Sequence, residues 1–361
     1  MAQPAIAREE EFIPLLLQLT LNPKRASEFL VLVQGLTQEE RDQLLVLADA
    51  HHVVIRSCEA LLRVAEAEDA ELSQWLQGRI AREKVRIARA LGYLSSICSE
   101  LEAAGCPAVV MKSLDHWPDL GNDLDLYSSG NEGRIRQVMQ GKVRAELQPP
   151  SWGDRLAHKL NFAIPGLPEL VEIHVQRLGQ TGEHREVSRR FVDRRVFVRF
   201  SGYGFFVPAP EERVIVATLQ RMYRHFYARV CDIANTAQLV EAGEVDFDEL
   251  RRASESAKIW PGVATYLTIV SDYVARYRGV RLNLPAMVNE HAQFGGERVA
   301  AKRRFLRIPI WPQGTRLYFS QLRATALGGE AAAALRLSLL PGLASAAAVA
   351  DRLTGSDKGI W

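Results

Sequence analysis

Apolar residues recur at intervals of three and four from Glu10 to about Gly105, with few strand-like runs, which predicts a helical N-terminal region. Within it, Leu36-Thr37-Gln38-Glu39-Glu40 carries a capping-box start, with Thr37 as cap and Glu40 three residues later. The helix that follows presents Leu44, Leu45, Leu47 and Ala48 as an apolar stripe ending near His51-His52. A longer helical run, about Ala70 to Ala104, is closed by Gly105-Cys106-Pro107. From Pro107 the period shortens. The run Ala108 to Met111, and then Leu160 to Ile164, Leu170 to Val175 and Arg195 to Phe200, read as strands, with Pro165-Gly166 as a turn. A helix near Asn131 to Gln140 and a loop at Pro149-Pro150-Ser151-Trp152 lie between them. After Pro208 the period returns to helix over Glu211 to Arg229, Asp232 to Ala242, Asp246 to Ala257 and Gly262 to Tyr277. The expected fold is α+β: a small mixed sheet with helices on one face and extensive N- and C-terminal helical regions, divided as 1–105, 106–207, 208–290 and 291–361.

Composition narrows the class. The chain has 361 residues, is 47% hydrophobic and carries a net charge of +2, enough to bury a large core and with no global pull toward nucleic acid. Cys58, Cys98, Cys106 and Cys231 are scattered without metal-ligand spacing and read as buried thiols of a reducing compartment. The segment Met1 to Glu11 is acidic and lacks a signal-peptide layout, so a cytoplasmic location is expected.

The chemistry concentrates between Ala108 and Ser129. A short apolar run breaks at Lys112-Ser113, and ten residues later come Asp123 and Asp125 with Leu124 and Leu126 interleaved. On a strand, residues two apart share a face, so the carboxylates project together while the leucines bury. Such a pair calls for a neutralising cation, and hard oxygen ligands suit Mg2+ or Mn2+. A third acid, Glu172, alternates with Val171 and Ile173 on a later strand and is placed to face the same cleft.

Taken in order, these motifs resemble the DNA polymerase β-type nucleotidyltransferase superfamily. Met111-Lys112-Ser113 with Gly121-Asn122-Asp123-Leu124-Asp125-Leu126 is similar to the signature of a bacterial group of uncharacterised nucleotidyltransferase family proteins. Val171-Glu172-Ile173-His174-Val175 resembles that group's third-carboxylate strand, and Pro210-Glu211-Glu212, His225 and Cys231-Asp232-Ile233 resemble its helical segment. The resemblance covers about Leu36 to Leu250. The chain departs from the pattern in lacking a glycine in the Lys112-Ser113 turn, in having Gly121-Asn122 where an arginine usually precedes the acids, and in using Glu as the third acid.

The resemblance implies a nucleotidyltransferase core over 106–207 and transfer of a nucleoside monophosphate from an NTP to a hydroxyl or phosphate acceptor. Asp123, Asp125 and Glu172 would hold the metal, and Lys112 and Ser113 the triphosphate. A small molecule, peptide, protein or RNA all stand open as acceptor. The alternative is a catalytically degenerate member acting as a binding or scaffold partner. Arg221, Arg224, His225 and Arg229 fall at helical spacing, and a triphosphate or RNA site there competes with pairing to acids on a neighbouring helix; Asp232 is expected to anchor them. His174 is read as a packing residue ahead of a contact to metal or phosphate, and His158 and Lys159 as a solvated loop ahead of a reach into the cleft. The tail has a basic patch, Lys302-Arg303-Arg304-Phe305 and Arg307, with Trp311, Tyr318 and Phe319 as aromatics, then an Ala/Leu-rich stretch, Gly328 to Leu353, too interrupted to span a membrane. It is read as helices capping the core, with partner or membrane-surface contact as the other option, and Thr354 to Trp361 as disordered.

Overall fold

The computed structural model describes residues 4–179, 181–302 and 304–342; Arg303, the reading of 354–361 as disordered and the end of the Ala/Leu-rich stretch lie outside them. The fold is α+β. Its centre is a five-stranded mixed sheet of β1 (Ala108–Val110), β2 (Asp123–Ser128), β3 (Glu146–Leu147), β4 (Lys159–Ile164) and β5 (Leu167–Val175), in the order β1-β2-β5-β4-β3. Only β2 and β5 run parallel; the other neighbours are antiparallel.

Alternation gives the sheet two chemically different faces. Leu124, Leu126, Val171, Ile173, Leu160 and Phe162 point to one face and bury against Ile87, Leu91, Leu94 and Leu101 of the long helix Ala70–Ala103. That helix starts with the Asp69 side chain accepting from the Leu72 N–H, and Gly105, at φ +72°, follows it where the chain turns into β1. The opposite face carries Val109, Met111 and Tyr127 at one end, packed on Phe191, Val214 and Ile215 of the helices Arg185–Asp193 and Pro210–Thr218. Helices therefore contact both faces rather than the one expected, because these three residues on the polar face are themselves apolar and need cover. The rest of that face stays open as the cleft.

The N-terminal helices and the helices after Pro208 share one core: Ile13, Leu17, Leu47 and Leu61 pack in the same cluster as Ile233, Tyr266 and Ile269. The Thr37–Glu40 capping box is formed as expected, with the Thr37 hydroxyl accepting from the Glu40 N–H and the Glu40 carboxylate accepting from the Thr37 N–H.

Several elements differ from the sequence expectation. The strand expected over Arg195 to Phe200 is one arm of a hairpin, β6 (Val196–Phe200) and β7 (Tyr203–Val207), turning at Ser201-Gly202. Ser151 caps a short helix, Trp152–Ala157, through its own capping box with Asp154. The helix expected to reach Arg229 ends earlier: Pro210–Thr218 continues as a π-helical turn to His225, Phe226 adopts φ +53°, and Tyr227–Ala228 pairs as a strand with Phe305–Arg307. A wide helical turn followed by a left-handed residue leaves no helical spacing from Arg224 to Arg229. Tyr318 and Gln321 of the helix Thr315–Leu327 pack at the core side, so the described part of the tail caps the molecule. No helix among the described residues is long and apolar enough to cross a membrane.

Candidate active site

Asp125 of β2 and Glu172 of β5 are direct register partners on the parallel pair. Glu172 is opposite Asn161 of β4, and His174 is opposite both Tyr127 and Lys159. The period of two puts Asp123, Asp125, Glu172, His174, Lys159 and Asn161 on the open face, while Leu124 and Leu126 are fully buried on the other. The side-by-side placement of the acids that the sequence predicts is present.

The turn before β2 does its work without a glycine. Lys112 sits at φ +57°, ψ −54°, and the Ser113 N–H donates to the Met111 carbonyl, closing a three-residue turn of the rare, strained kind. Its ammonium ends in an ion pair with Asp125, 3.9 Å from Glu172 Oε1. Ser113 is buried, and its hydroxyl donates to the Asp123 carbonyl (3.1 Å) and accepts from the Asp125 N–H (2.9 Å). Its side chain is thus engaged in fixing the strand that presents the acids.

Lys159 overturns the expectation of a solvated loop. Only 7% exposed, its ammonium lies 2.6 Å from Glu172 Oε2 and 3.1 Å from Asp154 Oδ1. Asp154 also accepts from Asn161 and from the Ser151 N–H, so a capped helix and β4 converge on one carboxylate, which Lys159 links to Glu172 of β5. Neighbouring His158 pairs instead with Glu132 at 2.7 Å. The strand before which both residues stand begins one position earlier than the apolar pattern shows, which is what turns Lys159 inward.

These neighbours set the charge states. Burial raises Asp125 to about 7 in spite of Lys112, with Glu172 adding to the rise. Partial desolvation at the cleft wall raises Asp123 as well, helped by Glu172. For Glu172 the upward push of burial is outweighed by Lys159 and by the hydrogen bond from His174, and its carboxyl is held well below the usual range. His174, buried and 2.9 Å from Glu172 through Nε2, is lowered to about 4 by desolvation, so it is neutral and available as a ligand at neutral pH.

Opposite the acids stand cations. A cleft of about 330 Å³ is lined by Asp123, Asp125 and Glu172 on one side and by Arg221, Arg224 and Arg229 on the other. Arg221 is buried in an ion pair with Asp232 at 2.7 Å, and Asp232 also accepts from the Arg229 N–H, the anchoring role expected for it. The Arg229 guanidinium lies 2.7 Å from His52 Nε2, and His52 stacks on His116 at 4.8 Å. Both histidines line the cleft and are held neutral by burial. Neither was legible as a site residue, since His52 and His116 stand far apart in sequence and meet only in the fold. Among the described residues Arg224 makes no ion pair.

The side chains fit a divalent cation. Ligand atoms of Asp125, Glu172 and His174 all lie within 4.8 Å of one another, and His174 Nδ1 is buried with no hydrogen-bond partner. Two carboxylates and an imidazole suit a hard-to-borderline divalent ion. Asp123, exposed at the start of β2, lines the same cleft but lies outside this close group.

No family model matches the chain, and no curated protein matches it. Among solved structures it is similar to an antigenic nucleotidyltransferase-like protein from Paracoccidioides brasiliensis, at 16% identity and a TM-score of 0.32, over 46% of this chain and 85% of that one.

Proposed function

We propose that the protein is a metal-dependent nucleotidyltransferase that moves a nucleoside monophosphate from an NTP to a hydroxyl or phosphate acceptor. The observation that carries this is the pairing of Asp125 with Glu172 across parallel strands, with His174 beside them, facing arginines across one cleft. Asp125, Glu172 and His174 would hold Mg2+ or Mn2+, with Asp123 at the cleft mouth as a further oxygen donor. Bound there, the metal would supply positive charge to the phosphate oxygens of an in-line displacement. Arg224, unpaired among the described residues, is the guanidinium available to a triphosphate, with Lys112 as a second positive charge and Arg221 and Arg229 fixing the electropositive wall. Glu172, kept ionised by Lys159, would serve as a charged metal ligand rather than as a proton acceptor.

One observation favours the second reading, a binding or scaffold protein of the same fold: Lys112 already neutralises Asp125. Incubation with Mg2+ or Mn2+ and each α-labelled NTP distinguishes the two. Pyrophosphate release or label transfer that disappears in the Asp123→Ala/Asp125→Ala double variant supports transfer. Nucleotide binding without turnover, unchanged in that variant, supports the scaffold.

A further inference from the structure

The site holds two lysines with different attachments. Lys159 is fastened to both Asp154 and Glu172 and is almost wholly buried, so it belongs to the frame of the site. Among the described residues the Lys112 ammonium forms ion pairs only with the acids that would hold a metal, Asp125 directly and Glu172 at 3.9 Å. Its ammonium stands where a cation shared by those two carboxylates belongs. A divalent ion and an ammonium cannot both occupy that space, since like charges at contact distance repel strongly in a partly desolvated site. Lys112 also has somewhere to go. It lines the polar cleft and also a second cavity walled by Met111, Val216, Leu219 and Tyr223, and both spaces share Gln220 and Arg224.

Resting on the metal-dependent reading above, we propose that Lys112 is the resident counter-ion of the Asp125–Glu172 pair, which must leave for a divalent cation to enter, so that this side chain sets how tightly the site takes a metal. Its strained turn fits this role: the backbone at Lys112 is held in a conformation that non-glycine residues avoid, and the result is an ammonium delivered to the acids. Without nucleotide the lysine keeps the carboxylates together; on metal entry it is released toward the Gln220–Arg224 wall, where a triphosphate would lie.

The test uses the full chain and Mn2+ alone, followed by the electron paramagnetic resonance signal of the free ion. Lys112→Met, which keeps the stem and removes the charge, is expected to bind Mn2+ about tenfold more tightly than the wild type or more, while Lys112→Arg stays near the wild-type value. In the unaltered protein, acetylation of Lys112 read by mass spectrometry is expected to rise when saturating Mn2+ is added, a measurement that does not depend on any variant folding. Equal Mn2+ affinity in wild type and Lys112→Met, or Lys112 acetylation unchanged by bound Mn2+, overturns the counter-ion role and leaves the metal site standing. No Mn2+ binding by either protein at millimolar concentration overturns both.

Discussion

Asp125 and Glu172 face each other across parallel strands, yet they are kept in opposite electrostatic states: burial raises the first to about 7, while Lys159 and His174 hold the second well below the carboxylate range. One member of the pair takes a proton readily and the other does not. Replacing either should remove a ligand while leaving the backbone register in place. Glu172→Gln and Asp125→Asn are each expected to weaken Mn2+ binding about tenfold or more, and Asp123→Asn less, because Asp123 lies outside the close ligand group. Mn2+ titration of the three variants checks the order, with circular dichroism confirming the fold; an Asp123 variant weaker than the other two would contradict the ligand set.

Lys159 joins Asp154 to Glu172, so its removal takes the ammonium partner from one buried and one partly buried carboxylate. Lys159→Met is expected to lower stability by about 3 kcal/mol at pH 7, in keeping with loss of one partner from a buried ion pair. The double variant Lys159→Met/Glu172→Gln should recover part of that loss, since one stranded charge is then gone. Urea unfolding of the single and double variants measures both, and a double variant less stable than Lys159→Met would show that charge stranding is not the cause.

What the sequence made legible followed from period and chemistry. Asp123 and Asp125 with interleaved leucines, and Glu172 between Val171 and Ile173, encode strand faces directly, and the sheet presents them as that alternation requires. The long helix, its Gly105 end and the Thr37–Glu40 box were legible for the same local reason. Lys159 was not, because whether a lysine at a strand start points inward depends on a register set by residues far away, among them His174 across the ladder. The turn at Lys112 reads from sequence as a missing glycine, yet β2 anchors Ser113 through its hydroxyl and the neighbouring lysine takes the positive φ. The end of the arginine helix at Phe226 is set by strand pairing with Phe305–Arg307, a contact some 80 residues away that no local pattern announces.

Two arginines of the same helical turn region are expected to answer differently to mutation. Arg221 is buried against Asp232, whereas Arg224 lines the cleft with no ion pair among the described residues. Arg221→Met should cost about 3 kcal/mol of stability by stranding Asp232. Arg224→Ala should leave the melting temperature nearly unchanged and weaken binding of a triphosphate about tenfold. Thermal melting combined with titration of a fluorescent NTP analogue separates the two effects; a stability loss confined to Arg224→Ala would reverse the assignment.

His51 gives a pH dependence whose sign is fixed by its hydrogen bonds. Its Nδ1 accepts from the Val230 N–H at 2.9 Å, so Nε2 carries the proton donated to the Arg304 carbonyl at 2.8 Å, and the ring must be neutral to satisfy both. Burial lowers it to about 4, below the ordinary value of 6.5 that it regains on unfolding. Between those values the unfolded chain binds a proton that the folded protein refuses, so stability falls as pH drops from 6.5 toward 4. At pH 4.5 this group alone is expected to cost about 2 kcal/mol relative to pH 7.5. His51→Gln cannot titrate, and although it should be the less stable protein at pH 7.5, the gap to the wild type should narrow by about that amount at pH 4.5. Taking the difference between the two proteins cancels the other buried histidines and acids, which titrate alike in both. A stability difference that stays constant between pH 7.5 and 4.5, measured by urea unfolding, would mean that His51 accepts a proton in the folded state and that its contacts with Val230 and Arg304 rearrange to allow it.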